Sequence, residues 1–270
     1  MRIGLSTYAL NWAWGIPGYL VEEPLQFPEF LNLAKQWGYD GLQIADNAPF
    51  LELTETARKD LWKQAKDLNL FVEIGGRGLL EENLVRHIDI AMEAESPILR
   101  FVINGPGFLP SFEEMPGLLA NAAARCGERG IILAIENHDR FQAHQFAAWF
   151  DEVNSPWLGL CLDSVNSYGC GEGFRETIDT LLPYAVNFHL KDFRIRRQSH
   201  NLGLVIEGTP VGEGFLPVKS VIERLDKIGK CQSAIVEHWT APEESVNATI
   251  AKEMEWCQRS IQNLNAILMS

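Results

Sequence analysis

The chain has 270 residues, 46% of them hydrophobic and 22% charged, ordinary values for a globular protein and a length close to the ~250 residues of one eight-fold β/α barrel. Its 36 acidic against 23 basic residues leave a net charge of −13; a nucleic-acid backbone needs clustered Lys and Arg, so no nucleic-acid partner is expected. The apolar stretches are strand-length, well under the ~20 residues of a membrane-spanning helix, no leader pattern precedes the first strand, and the five cysteines form no CxxC pair and suit reduced thiols, so a cytoplasmic protein without a membrane partner is expected.

Short apolar runs alternate with amphipathic stretches along the chain. Strands are expected over Ile3–Ser6, Gly41–Ile44, Leu70–Ile74, Ile98–Ile103, Ile131–Glu136, Leu158–Asp163, Ala185–Leu190 and Ser233–Glu237. Continuous apolar runs of this length suit parallel strands buried on both faces. Between them, Phe27–Trp37 sets Phe27, Phe30, Leu31 and Ala34 at helical spacing and stops at Gly38. Glu55–Leu68, Leu80–Ala94, Leu118–Arg129, Ala143–Asp151, Phe174–Leu182, Leu216–Ile228 and Glu243–Ile267 repeat that pattern. The rhythm predicts an α/β fold, a single (β/α)8 TIM barrel domain spanning 1–270, with no linker or low-complexity tract. An open doubly wound sheet is the alternative, but no Gly-rich phosphate fingerprint follows the first strand. One long excursion, Phe193–Gly214, reads as a loop at the C-terminal mouth, where barrel active sites lie.

The chemistry is concentrated at the ends of strands five to eight: Glu136 in Ala-Ile-Glu-Asn-His-Asp, Asp163 in Leu-Cys-Leu-Asp-Ser-Val-Asn, His189 in Asn-Phe-His-Leu-Lys-Asp and Glu237 in Ala-Ile-Val-Glu-His-Trp. An acid after an apolar run is costly to bury as a charge. Carboxylates converging on one pocket repel unless a cation neutralises them, and an imidazole completes a ligand set suited to one divalent ion of Mn, Mg, Co or Zn.

These strand ends, with His-Leu-Lys-Asp and the later Gly-Glu-Gly at 212–214, resemble the xylose isomerase-like TIM barrel superfamily over essentially the whole chain. That superfamily includes sugar phosphate isomerases and epimerases, hydroxypyruvate isomerase, two dehydratases and the endonuclease IV nucleases. The resemblance implies that Glu136, Asp163, His189 and Glu237 hold the metal, and that Glu136 and Glu237 act as paired catalytic acid and base on opposite sides of a substrate carbon. Asn166, where the nuclease branch would carry histidine, argues against that branch.

The expected activity is a metal-dependent isomerase or epimerase of a keto-sugar, working through an enediolate. The alternative is a lyase on the same barrel, a decarboxylase or dehydratase of an oxo sugar acid, motivated by Arg77, Arg100 and the arginine-rich excursion. The partner is thus a small sugar or sugar acid; a homo-oligomer is compatible with the fold. Arg77, Arg100, Asn166, Lys191, His200 and Trp12 are the candidate substrate contacts. Glu73 is read as an assisting acid, Asn104 and Asn137 as possible hydroxyl partners, Trp14 as a further wall, and Gly-Glu-Gly as a tight turn.

Overall fold

The computed structural model describes residues 1–270. In chain order the elements are β1 (Arg2–Ser6), α1 (Asn11–Trp14), α2 (Phe27–Trp37), β2 (Gly41–Ile44), α3 (Glu55–Asp67), β3 (Phe71–Arg77), α4 (Glu81–Glu93), β4 (Ile98–Val102), α5 (Met115–Gly127) and β5 (Ile132–Glu136). There follow α6 (Ala143–Val153), β6 (Leu158–Asp163), α7 (Phe174–Leu181), β7 (Ala185–Leu190), β8 (Asp192–Arg197), β9 (Leu204–Thr209), α8 (Val218–Ile228), β10 (Ser233–Val236) and α9 (Val246–Met269). Eight of the strands close a parallel barrel in the order β1-β2-β3-β4-β5-β6-β7-β10.

Side chains alternate across a strand, and in this barrel the alternation separates two chemistries. Leu5, Leu42, Ile74, Leu99, Phe101, Ile135, Leu162, Phe188 and Val236 point outward and are buried in the main core with the inner faces of the helices. Burying each such side chain stabilises the fold by about 1.5–3 kcal/mol, so strand and helix hold each other. In α2 that inner face is Phe27, Phe30, Leu31 and Ala34; Gly38 ends the helix at φ 95°, a left-handed value that favours glycine. The opposite set of strand residues points into the barrel. At the N-terminal end Gly4 and Gly41 leave room for the Phe71 ring, which a Cβ at either would strike; above, the set is polar, with Ser6, Gln43, Glu73, Arg100, Glu136, Asp163, Asn187, His189 and Glu237 all buried.

The expected long loop after the seventh barrel strand is a hairpin instead. β8 pairs antiparallel with β9, Ile195 opposite Ile206. Its base is fastened by Asp192, whose carboxylate accepts hydrogen bonds from the backbone N–H groups of Phe193 (2.8 Å), Gly212 (2.9 Å), Gly214 (2.9 Å) and Leu216 (3.0 Å). The Gly-Glu-Gly turn follows from this contact: a Cβ on Gly214 would collide with the Asp192 carboxylate and the Phe193 carbonyl. The hairpin's β-branched residues meet across the pair, Ile195 opposite Ile206, with Val205 opposite Arg196.

Candidate metal centre and active site

The ends of β5, β6, β7 and β10 bring Glu136, Asp163, His189 and Glu237 to one point at the C-terminal mouth, all buried. Each carboxylate has one oxygen held by uncharged hydrogen-bond donors. Glu237 Oε1 accepts from Ser6 Oγ at 2.8 Å, and Asp163 Oδ1 accepts from the N–H groups of Val165 and Asn166, both at 2.8 Å. Glu136 Oε1 accepts from Asn166 Nδ2 at 2.7 Å. The remaining oxygens face the imidazole of His189, whose Nδ1 lies 3.4 Å from Glu136 Oε2, 3.5 Å from Glu237 Oε2 and 3.8 Å from Asp163 Oδ2.

This donor set fits a divalent cation. His189 Nδ1 is buried without a hydrogen-bond partner, whereas Nε2 is bonded to Gln43 Oε1 at 2.7 Å. Bonds of about 2.0–2.2 Å to an ion of the zinc class set tetrahedral donors roughly 3.4 Å apart, close to the spacing of Nδ1 from the two glutamates. Three carboxylate oxygens and one imidazole nitrogen are also the donor types expected for Mg, Mn, Co or Zn.

Two fixed cations already lean on the cluster. Lys191 Nζ lies 2.8 Å from both Asp163 Oδ2 and Glu237 Oε2. The Arg100 guanidinium, pointing inward from β4, pairs with Glu136 Oε2 and reaches Asp46 Oδ1 at 3.3 Å. Burial alone would push the Glu136 and Glu237 carboxyls up; the positive charge of Arg100, of a protonated His189 and of Lys191 at Glu136, and of protonated His189, Lys191 and Arg100 at Glu237, holds both below the usual carboxylate range. Asp46 also accepts from Arg77 Nε at 3.0 Å and from the Tyr8 hydroxyl at 3.1 Å. Burial, with Asp46 adding to it, pushes the Tyr8 hydroxyl up to about 12.

Above the quartet opens a cavity of about 810 Å³, lined by Glu136, Glu237, Lys191, Asn166, Arg77, Arg100 and Trp12, with Arg196, Val205 and Glu207 contributed by the hairpin. Six positions singled out from sequence as substrate contacts therefore have different fates. Arg77 and Lys191 reach the cavity, and Trp12 walls it with its indole N–H bonded to Thr240 O at 3.0 Å. Arg100 and Asn166 line it too, but each is engaged by Glu136. His200 is a correction: it sits exposed at the hairpin tip, where its ring accepts from Leu202 N–H, and lies outside the cavity lining. Hairpin pairing, by carrying residues 198–203 away from the barrel, removes it.

Other expectations are corrected likewise. Of the excursion's arginines only Arg196 lines the cavity, held by Glu207 at 2.8 Å; Arg194 donates to Thr209 and Arg197 to Asn201 O. Asn104 accepts from Arg140, and Asn137 is consumed by the backbone of Asp163 and by Ser167. Trp14 packs against Phe27 and Phe30 in the core. Glu73, by contrast, stands where an assisting acid would: it lies in the barrel interior behind the quartet, bonded to Gln43, Asn187 and Ser233. Sequence reasoning missed Gln43, Asp46, Tyr8 and Ser6. Gln43 carried the same signal as Arg100, a polar residue inside an apolar strand; Tyr8, Asp46 and Ser6 gave no such signal, because their roles arise from strands far apart in the chain.

A family model described as xylose isomerase-like TIM barrel matches residues 31–260. A 3-oxo-isoapionate decarboxylase of Pectobacterium atrosepticum is 29% identical over 264 residues, covering 98% of this chain and 95% of that protein. Among solved structures, a D-psicose 3-epimerase with D-tagatose from Clostridium cellulolyticum H10 superposes with a TM-score of 0.72 at 13% identity, covering 99% of each chain. A xylose isomerase-like TIM barrel protein from Mycobacterium smegmatis in complex with magnesium gives 0.70 at 16% identity, covering 99% of this chain and 97% of that one. At such identities the two structures establish the fold alone.

Proposed function

The chain belongs to the xylose isomerase-like TIM barrel family, and from that membership we propose that it is a divalent-cation-dependent lyase that decarboxylates a 3-oxo sugar acid. Glu136, Asp163, His189 and Glu237 would hold the cation. When bound, it supplies positive charge at the oxo oxygen, where negative charge develops as the bond to the departing CO2 breaks. The observation that carries the reading is the engagement of Glu136: Arg100 takes one oxygen and Asn166 the other. A carboxylate with both oxygens so engaged is a poor base for removing a carbon-bound proton. Decarboxylation requires no such removal: the electron pair of the C–C bond passes to the oxo oxygen as CO2 leaves, and the enolate so formed takes one proton from water to give the ketone.

Charge supports the same reading. Asp46, Glu136, Asp163 and Glu237 face Arg77, Arg100 and Lys191, so with a neutral His189 the cluster carries one negative charge. One divalent cation turns that into one positive charge, the sign that suits an anionic substrate. Arg77, a third exposed, offers a guanidinium to the substrate carboxylate, and Trp12 supplies an apolar wall. The full-length likeness to a decarboxylase of an oxo sugar acid agrees.

A second reading, isomerisation or epimerisation of a keto-sugar, is favoured by one observation. Glu136 and Glu237 present carboxylates to the same point, each within 3.5 Å of His189 Nδ1. The two separate in D2O with Mn²⁺-supplemented protein and panels of 3-oxo sugar acids and neutral ketoses. The lyase releases CO2 from an acid and leaves the ketoses undeuterated. Deuterium entering an intact ketose, with no CO2 from any acid, would overturn it in favour of the epimerase.

A further inference from the structure

Beneath the quartet lies a closed polar network that the proposed reaction does not itself use. Gln43 on β2, Glu73 on β3, Asn187 on β7 and Ser233 on β10 all point into the barrel and are fully buried. Gln43 Nε2 donates to Glu73 Oε2 at 3.1 Å and to Asn187 Oδ1 at 3.2 Å. Asn187 Nδ2 donates to Glu73 Oε2 at 2.9 Å and to Ser233 Oγ at 2.8 Å. The Ser233 hydroxyl donates to the other oxygen of Glu73 and closes the ring, and Cys161 Sγ adds a donor to Asn187 Oδ1 at 3.1 Å.

A carboxylate has acceptors only, and here that one fact propagates. Glu73 receives the Gln43 amide N–H, so the Gln43 carbonyl oxygen must point the other way, to His189 Nε2 at 2.7 Å. A carbonyl can only accept, so the ring proton sits on Nε2 and the lone pair is left on Nδ1. That is the nitrogen 3.4–3.8 Å from the three carboxylates. We propose that Gln43 and Glu73 are positioning residues for the candidate metal centre: Glu73 orients the Gln43 amide, and Gln43 fixes the tautomer and ring orientation that make His189 Nδ1 a ligand. The proposal rests on the reading of the quartet as a cation site. Histidine ligands are commonly held through their second nitrogen by a carboxylate or carbonyl, and losing such a partner weakens metal affinity about 10–100-fold; in this barrel an amide stands between the carboxylate and the ring.

The test uses the full chain, in wild-type form and as Gln43→Met and Glu73→Gln. Mn²⁺ affinity is read from the free-ion paramagnetic resonance signal, melting temperature is read without metal, and the His189 tautomer is read in metal-free protein from long-range ¹H–¹⁵N correlations. Gln43→Met is expected to weaken Mn²⁺ binding about 10–100-fold and to abolish the preference for the Nε2–H tautomer. Glu73→Gln, which keeps the shape, weakens binding less and lets the Gln43 amide turn. A folded Gln43→Met protein with wild-type Mn²⁺ affinity would overturn the proposal, as would a wild-type His189 carrying its proton on Nδ1. If Gln43→Met does not fold, unchanged affinity and tautomer in Glu73→Gln overturn it equally. Absence of stoichiometric Mn²⁺ binding by wild-type protein that retains the Nε2–H tautomer would instead strike the reading of the quartet and leave the relay standing.

Discussion

Lys191→Met tests how the carboxylate cluster is held together. The ammonium lies 2.8 Å from both Asp163 and Glu237, and all three groups are buried. Methionine fills a similar volume but leaves two carboxylates facing each other without their shared cation. Removing one partner of a buried ion pair costs about 3–5 kcal/mol. For a chain of this size each kcal/mol corresponds to a few degrees, so the metal-free variant should melt roughly 6–20 °C below wild type. Mn²⁺ would restore the missing positive charge, so it should raise the melting temperature of Lys191→Met more than that of wild type. Calorimetry in EDTA and then in saturating Mn²⁺ gives all four values. A metal-free variant melting within ~2 °C of wild type, or equal stabilisation of both proteins by Mn²⁺, would refute the assignment of Lys191 as the counter-charge of the cluster.

Arg77→Leu should raise KM for an oxo acid by about one to two orders of magnitude, the range of a lost charge-assisted hydrogen bond of ~1.5–3 kcal/mol, and leave kcat little changed; steady-state kinetics on acid and neutral analogues decide it, and equal losses on both would make Arg77 structural. Glu136→Gln keeps the contact with Arg100 but loses a negative ligand, so turnover should fall at least ~10-fold with circular dichroism unchanged; full activity would remove Glu136 from the site. Gly214→Ala forces a methyl onto the Asp192 carboxylate and should cost about 1–3 kcal/mol by overpacking, measured by urea unfolding. Glu253, buried on α9 and accepting from the N–H groups of Trp12 and Ala13, has its carboxyl pushed by burial up to about 8. The unfolded chain releases that proton near the ordinary value of ~4.3, so stability should fall as pH rises from there to about 8. Urea unfolding across that window should show the slope in wild type and a flatter profile in Glu253→Gln.

Much of this was legible in the order of residues. Leu-Cys-Leu-Asp and Ala-Ile-Val-Glu announce strands whose last residue is an acid at the barrel mouth, because a run buried on both faces can end in a charge only where the sheet meets a polar site. The quartet and the closed barrel follow from that local logic repeated around the chain. The hairpin β8–β9 is not legible in the same way, because its two strands are half polar and find partners only in each other. The pairing carries His200 to the hairpin tip, outside the cavity.

What the linear chain determined is the alternation: which residues face the helices, which face inward, and which strand ends carry ligand chemistry. Only the tertiary structure decided how the inward charges pair. Arg100 meets Glu136 and Asp46, Lys191 bridges Asp163 and Glu237, and Gln43 stands between Glu73 and His189. Strand periodicity reports the face on which a side chain lies, but the partner it meets there depends on stagger between strands and on reach across the barrel, and those exist only once the sheet has closed.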